Sequence, residues 1–180
     1  MKLLILFISA FLVFLRAAAG AGLPPWQFGM TPAQVASFKE FGPYKTFSNG
    51  DLETFNGRFH GRKQNIQFFF ERGRLRRIGV YLGEGTDRNK AIATCQQLYE
   101  LLQRDYGAVT IPEEKSARNA KPAPPVVHAI AATMNADLFG STHIVPVKQP
   151  KDMRVFGAIR SAKFGGKKWF YVSVDFDQRI

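Results

Sequence analysis

The side chains best suited to covalent or metal chemistry are one cysteine, Cys95, and three histidines, His60, His128 and His143. A cysteine beside a histidine can act as a nucleophile, and three histidines can bind zinc. Cys95, however, lies on the apolar side of a helical repeat, where cysteine is typically a small buried hydrophobe. The histidines are far apart in the sequence and form no local metal motif. We therefore predict no catalytic residue, no metal site and no cofactor.

Two carboxylates and a glycine-rich turn are the other candidates for chemistry. Asp175 and Asp177 point to the same side of one strand, as an acid–base pair could, but a solvated strand end explains them better. Residues 83–86, Gly-Glu-Gly-Thr, stand between a strand and a helix start, as phosphate loops do. Arg88 occupies the place of the third glycine of a dinucleotide motif, and Glu84 would repel phosphate, so we expect a tight turn there.

A basic stretch between residues 56 and 82 gives the strongest binding signal. It holds seven basic residues against one acidic residue, Glu71. The basic residues are Arg58, Arg62, Lys63, Arg72, Arg74, Arg76 and Arg77. We expect Phe69 and Tyr81 to contact the partner together with them. Basic groups interleaved with aromatic rings suit a polyanion or a nucleic-acid strand, and a solvated basic surface is the alternative. A second basic group near a turn consists of Lys163, Lys167 and Lys168 beside Trp169.

The overall charge indicates an acidic partner. The 180-residue chain carries 25 basic and 14 acidic residues, a formal net charge of +11. A protein this basic is attracted to polyanions, so we expect an anionic polymer or an acidic envelope protein, with nucleic acid as a less favoured choice. The single cysteine excludes an intramolecular disulfide, and the sequence has no Asn-x-Ser/Thr site. Both features argue against a eukaryotic secreted protein.

The N-terminal segment has the pattern of an export signal. A lysine precedes an apolar run at residues 3–15, and small residues follow. A helix of this length reaches roughly 20 Å, which is short of the ~30 Å hydrocarbon core of a bilayer. Cleavage after Ala19 or Ala21 would make residues 1–21 a signal peptide and residues 22–180 a single periplasmic or secreted domain without a membrane span. Retention of the segment as an anchor is the alternative.

Local signals predict two helices. Thr31 suits an N-cap, Pro32 suits the first helical position, and Gln34 can complete a capping box. Gly-Pro at residues 42–43 ends this short helix. A longer helix is predicted near residues 87–106 by apolar residues at helical spacing.

Alternating apolar residues predict strands on both sides of the long helix. These segments are residues 44–47, 52–55, 63–70 and 75–82 before it, and 126–134, 142–147, 153–161 and 168–176 after it. Alternation places Phe69, Arg77 and Tyr81 on the less apolar face of one hairpin, with Arg77 exposed, and Asn-Gly at residues 56–57 predicts a turn. Short links favour antiparallel pairing, so we predict an α+β fold with a mainly antiparallel sheet. The order of elements suggests two helix-plus-meander halves, and the charged, proline-rich residues 112–125 indicate a loop rather than a domain boundary.

A family resemblance follows from these elements. Gly29-Met30-Thr31, Gln34-Val35, Gly42-Pro43 and the amphipathic hairpin after them resemble the SmpA/OmlA-type module of exported bacterial envelope proteins over residues 28–82. The resemblance implies a helix-plus-sheet fold and a non-enzymatic binding or scaffolding role, and it assigns no catalytic residue.

Together these features predict an exported, non-enzymatic binding or accessory protein of the bacterial envelope that contacts an anionic partner through its basic hairpin. Two alternatives remain open. One is a secreted hydrolase whose active-site residues converge only in the fold. The other is an extracellular nucleic-acid binder.

Overall fold

The strand segments assemble into one eight-stranded antiparallel sheet in the computed structural model, which describes residues 22–111 and 139–179. The described elements are β1 (Gly22–Leu23), β2 (Trp26–Gln27), α1 (Pro32–Val35), a 3-10 turn (Lys39–Phe41), β3 (Tyr44–Thr46), β4 (Leu52–Phe59), β5 (Arg62–Glu71), β6 (Arg74–Gly85), α2 (Arg88–Tyr106), β7 (Val109–Thr110), β8 (Phe139–Pro146), β9 (Met153–Phe164) and β10 (Lys167–Gln178). The order in the sheet is β3-β4-β5-β6-β10-β9-β8-β7, and β1 and β2 form a separate small hairpin. This arrangement confirms an α+β fold with a mainly antiparallel sheet.

The segment before the sheet is anchored by its capping box and by aromatic packing. The Thr31 hydroxyl accepts a hydrogen bond from the Gln34 backbone N–H at 3.3 Å, and the Gln34 side chain accepts one from the Thr31 N–H at 2.8 Å, as predicted. The helix α1 has only one turn and ends at Val35, before the end predicted at residues 42–43, and the 3-10 turn Lys39–Phe41 follows separately. Trp26 is fully buried, and its ring lies 4.8 Å from that of Phe41 and 4.9 Å from that of Phe68. These contacts hold the segment against the apolar side of the sheet.

The helix α2 covers that apolar side. Asp87 caps it by accepting hydrogen bonds from the backbone N–H groups of the second and third helical residues. Leu98 and Leu102 are buried where the helix crosses Gly157 of β9. A Cβ atom at Gly157 would stand 2.8 Å from Leu98 Cδ2 and 3.0 Å from Leu102 Cδ1, so glycine is what permits this close approach. The core therefore lies between α2 and one face of the sheet.

The hairpin predicted from residues 63–70 and 75–82 is confirmed as β5 and β6. Ile66 pairs with Val80 and Phe68 with Ile78, and all four side chains are fully buried. Alternation then directs the intervening residues to the side of the sheet away from α2. We call this side the polar face, because it carries Glu53, Gln67, Arg77, Tyr81, Arg160, Ser173 and Asp175. No described helix packs over it.

The turn predicted at residues 56–57 is wrong. Asn56 and Gly57 lie inside β4, where the pairing register with β5 shifts between Thr54 and Gly57. A Cβ atom at Gly57 would stand 2.2 Å from Ile66 Cδ1, so the glycine serves close packing rather than a turn. Beyond this irregularity the end of β4 reaches the helix side, where the Phe59 ring lies 6.1 Å from that of Phe176.

Some predictions lie outside the described residues. They are the signal segment, the loop at residues 112–125, the strand at residues 126–134 and His128. Among residues 22–111 and 139–179, no helix is both long enough and apolar enough to cross a membrane.

Candidate binding surface on the polar face

Phe69, Arg77 and Tyr81 share the polar face, in agreement with the alternation of the sequence. Phe69 pairs with Arg77 across β5 and β6, and the Arg77 guanidinium carbon lies 3.9 Å from the centre of the Phe69 ring. This is a cation–π contact, which holds the guanidinium flat on the ring. The Tyr81 hydroxyl donates a hydrogen bond to Gln67 Oε1 at 3.1 Å. The three residues thus form one continuous patch.

Asp175 lies at the centre of this patch and is only 2% exposed. Its Oδ1 is 3.9 Å from Arg77 Nε, and its Oδ2 is 3.6 Å from Arg160 Nη2. The interpretation of Asp175 as part of a solvated strand end is therefore wrong. The pairing of β6 with β10 places Gly79 opposite Asp175. Because Gly79 has no side chain, Asp175, Phe69 and Tyr81 can close over it.

A hydroxyl connects the carboxylate to one of the two arginines. Ser173 Oγ donates to Asp175 Oδ2 at 2.7 Å, and Arg160 Nη1 donates to Ser173 Oγ at 3.2 Å. Arg77 Nε, in contrast, is buried without a hydrogen-bond partner among the described residues. The Arg77 side chain as a whole is 38% exposed, so it is half-buried rather than freely exposed as expected. One carboxylate faces two guanidinium groups, which leaves a surplus of one positive charge.

A second buried carboxylate continues the polar network toward the edge of the sheet. Glu53 is 5% exposed, and its Oε1 accepts hydrogen bonds from Asn65 Nδ2 at 3.1 Å and from Gln67 Nε2 at 2.9 Å. Lys45 Nζ lies 3.9 Å from Glu53 Oε2. Together with the bond from Tyr81 to Gln67, these contacts link β3, β4, β5 and β6 across the polar face.

Burial also changes the acidity of groups on this face. It raises the pKa of the Tyr81 hydroxyl, which keeps that group protonated and able to donate. It likewise raises the pKa of Asp177. Burial, reinforced by the nearby charge of Arg160, lowers the pKa of His143 and keeps its imidazole neutral at pH 7.

The arrangement does not assemble a hydrolytic triad in the described residues. Ala158 lies between Ser173 and His143 in the register of β10, β9 and β8, so the two residues are about 10 Å apart at the usual strand spacing. Burial raises the pKa of Cys95 to about 12, so its thiol stays protonated. Within the described part of the chain, no three metal-ligating side chains converge.

His60 has a structural partner far along the chain. Its Nε2 lies 3.0 Å from Asp105 Oδ2, and its Nδ1 lies 3.4 Å from Arg104 Nη2. Arg104 Nε also donates to Asp105 Oδ1 at 2.8 Å. These contacts join the tip of the β4–β5 hairpin to the last turn of α2. They account for His60 without a ligand.

The basic residues of the 56–82 stretch do not form one patch. They fall into two groups at opposite ends of β5, about 30 Å apart along the extended strand. The groups are Arg58, Arg62 and Lys63 at the β4–β5 tip, and Arg72, Arg74 and Arg76 at the β5–β6 turn. Arg74 Nη1 donates to the Gly29 carbonyl at 3.2 Å, and Arg76 Nη1 donates to Gln178 Oε1 at 2.7 Å. Both therefore also bind neighbouring parts of the fold.

The glycine-rich segment at residues 83–86 borders a small cavity of about 160 Å³ beside the start of α2. Glu84 and Asp87 contribute to its lining, and Asp87 already accepts hydrogen bonds from the first turn of the helix. Because two carboxylates face this space, it is poorly suited to phosphate.

No protein-family model, curated protein or solved structure matches this chain. The resemblance of residues 28–82 to the SmpA/OmlA-type module stays a prediction from the residues quoted above.

Proposed function

We propose that the chain is an exported, non-enzymatic binding or accessory protein of the bacterial envelope that holds an anionic partner on its polar face. The observation that supports this proposal is the buried carboxylate of Asp175 between the guanidinium groups of Arg77 and Arg160. This cluster has surplus positive charge and lies beside the rings of Phe69 and Tyr81. The partner is an anionic polymer or an acidic envelope protein.

The cluster suits anion binding because its cations are held in place before the partner arrives. Asp175 and Ser173 fix Arg160, and the Phe69 ring fixes the plane of Arg77. A guanidinium group can donate two parallel hydrogen bonds to a carboxylate or phosphate. Since these side chains are already ordered, less conformational entropy is lost on binding. The exposed part of Arg77 is the first contact for the incoming anion.

The proposal includes the finer architecture and location predicted from the sequence. Two helix-plus-meander halves, joined where β6 pairs with β10, are consistent with the strand order. The SmpA/OmlA-type module would then correspond to the first half. Cleavage after Ala19 or Ala21 would release the exported domain into the periplasm or beyond. Intact-mass measurement of the exported protein tests that step, and recovery of Met1 on a membrane-bound form would contradict it.

The binding proposal is tested by affinity for polyphosphate and for polyglutamate at low and physiological salt. We expect the affinity to fall as salt rises, because contacts between exposed charges are screened beyond about 8 Å at physiological salt. Arg77→Gln should weaken binding roughly tenfold or more, since hydrogen bonds between charged groups are lost. Arg88→Gln is the matched control, because Arg88 is exposed at the start of α2. Circular dichroism checks folding, and equal affinities for the two variants would refute the proposed site.

A further inference from the structure

The turn between β9 and β10 extends beyond the described pairing of the strands on either side of it. The last pairs of this hairpin are Lys163 with Lys168 and Phe164 with Lys167. Among the described residues, pairing of β8 with β9 begins at Ala162, and pairing of β6 with β10 ends at Phe170. Residues 163–169 therefore extend past the described pairing on both sides, and we call them the hairpin tip.

The hairpin tip is narrow because its turn consists of two glycines. Gly165 and Gly166 have φ angles of +55° and +78°, a backbone conformation that other residues rarely adopt. Two consecutive residues with positive φ are typical of the tight turns that match the twist of a hairpin. The strands are thus held together up to the turn, and the side chains beside it are displayed on a convex end.

Two large apolar side chains on the hairpin tip are exposed. Phe164 is 57% exposed and Trp169 is 36% exposed, and they account for two of the four large apolar residues exposed in the described chain. Phe164 pairs with Lys167, and Trp169 pairs with Ala162, so alternation places both rings and Lys167 on the same face. Trp169 thus lies partly covered and partly open to solvent on that face, beside the small side chain of Ala162.

The charge of the hairpin tip is entirely positive. Lys163 and Lys167 are exposed beside the turn, and residues 157–174 contain no acidic residue. Lysine can extend its charged group past its own apolar stem, so the ammonium groups can reach phosphate while the rings enter a less polar layer. Tryptophan side chains are also enriched at the interface between membrane and water.

We propose that the hairpin tip binds the surface of an anionic lipid bilayer, with Phe164 and Trp169 among the headgroups and Lys163 and Lys167 against lipid phosphates. A dissolved anionic polymer would use the lysines but offers no apolar layer for two exposed rings. The convex shape also favours insertion into a soft surface over closure around a polymer strand. This site is separate from the proposed polar-face site around Asp175, although both favour anions.

Fluorescence of the purified full chain tests this assignment, with vesicles of equal parts phosphatidylglycerol and phosphatidylcholine. Trp26 is fully buried, so a change on binding reports Trp169. We expect a blue shift and quenching by lipids brominated on their acyl chains. Each lysine near an anionic surface strengthens binding about fivefold, so Lys163→Gln with Lys167→Gln should lower partitioning roughly 30-fold. Replacing Phe164 with alanine should lower it further.

The matched control is Lys148→Gln with Lys151→Gln, which removes the same charge at the opposite end of β9. We expect it to retain most of the binding, because its lysines lie well beyond the screening distance of about 8 Å from the hairpin tip. Circular dichroism should be unchanged in all variants. The assignment would be overturned if Trp169 were not quenched, or if both lysine-pair variants lost vesicle binding equally. Binding of polyphosphate through the hairpin tip without binding of vesicles would also overturn it. Arg77 and Arg160 are intact in every variant, so such a failure is distinguishable from failure of the polar-face site.

Discussion

Replacing Asp175 with asparagine separates the stability of the polar face from its affinity for anions. The substitution keeps the shape of the side chain and removes its charge. The Ser173 hydroxyl, which lies 2.7 Å from Asp175 Oδ2, then loses a charged acceptor. Arg77 and Arg160 lose the carboxylate that stands 3.9 Å and 3.6 Å from their nitrogens.

The expected cost follows from the exposure of these groups. A hydrogen bond to a charged group contributes about 1.5–3 kcal/mol. The ion pairs add less than about 1 kcal/mol each, because both arginines are about one-third exposed and can gain water. We therefore expect the free energy of unfolding to fall by about 2–3 kcal/mol. With a urea dependence of about 2 kcal/mol per molar, the midpoint of unfolding should shift down by about 1–1.5 M.

Affinity should change in the opposite direction. Without the carboxylate, both guanidinium groups are free to neutralise a bound anion. One unit of charge at about 6 Å in a water-like medium is worth ~0.7 kcal/mol, so polyphosphate affinity should rise roughly threefold. Asp177→Asn is the control. Because burial raises the pKa of Asp177 and so disfavours its charged form, that variant should lose no stability at pH 7. An unchanged urea midpoint for Asp175→Asn would refute the stabilising role given to Asp175. Weaker polyphosphate binding would show that the ordering of Arg160 by Asp175 outweighs the charge of its carboxylate.

Three further predictions concern other parts of the fold. Burial lowers the pKa of His143 from 6.5, so the unfolded chain binds a proton at higher pH than the folded protein. The free energy of unfolding should therefore fall as the pH drops below 6.5. In urea unfolding measured from about pH 7.5 to about pH 5.5, His143→Asn should remove this part of the pH dependence. Cys95→Ala should cost about 1–2 kcal/mol through lost packing, and native Cys95, with its pKa near 12, should resist alkylation; rapid labelling would contradict its burial. Gly57→Ala should cost about 1–3 kcal/mol by overpacking against Ile66, with partial recovery on adding Ile66→Val; an unchanged melting curve would show that β4 can shift.

The local features of this fold could be predicted because their causes are local. The capping box joins Thr31 to Gln34, three residues away, and it is present as expected. The alternation of Ile66 and Phe68 indicated which side of β5 is buried. The long helix was placed nearly to its observed ends by the spacing of its apolar residues. Each of these patterns is fully contained within one element.

The candidate site could be predicted only in part. Alternation placed Phe69, Arg77 and Tyr81 on one face, and the structure agrees. The partners that complete the cluster, Asp175 and Arg160, were missed. They lie about eighty residues or more after Arg77 in the sequence. No pattern within one strand reveals which other strand will lie beside it. The presence of Asp175 near the end of an alternating strand was the only available signal, and it was interpreted as solvent exposure.

The sequence by itself determined the long helix, the capped start of α1, the approximate position of most described strands, the apolar side of the β5–β6 hairpin, and that the protein is strongly basic. Hydrophobic periodicity and capping act over a few residues, so they can be seen without a fold. Only the tertiary structure decided that Asp175 is buried between two arginines, that the basic stretch is divided by the length of β5, and that Gly57 packs against Ile66. These outcomes depend on the pairing of β6 with β10 and on the register of each pair. Strand order and register are set by the packing of the whole core, which brings together residues that are distant along the chain.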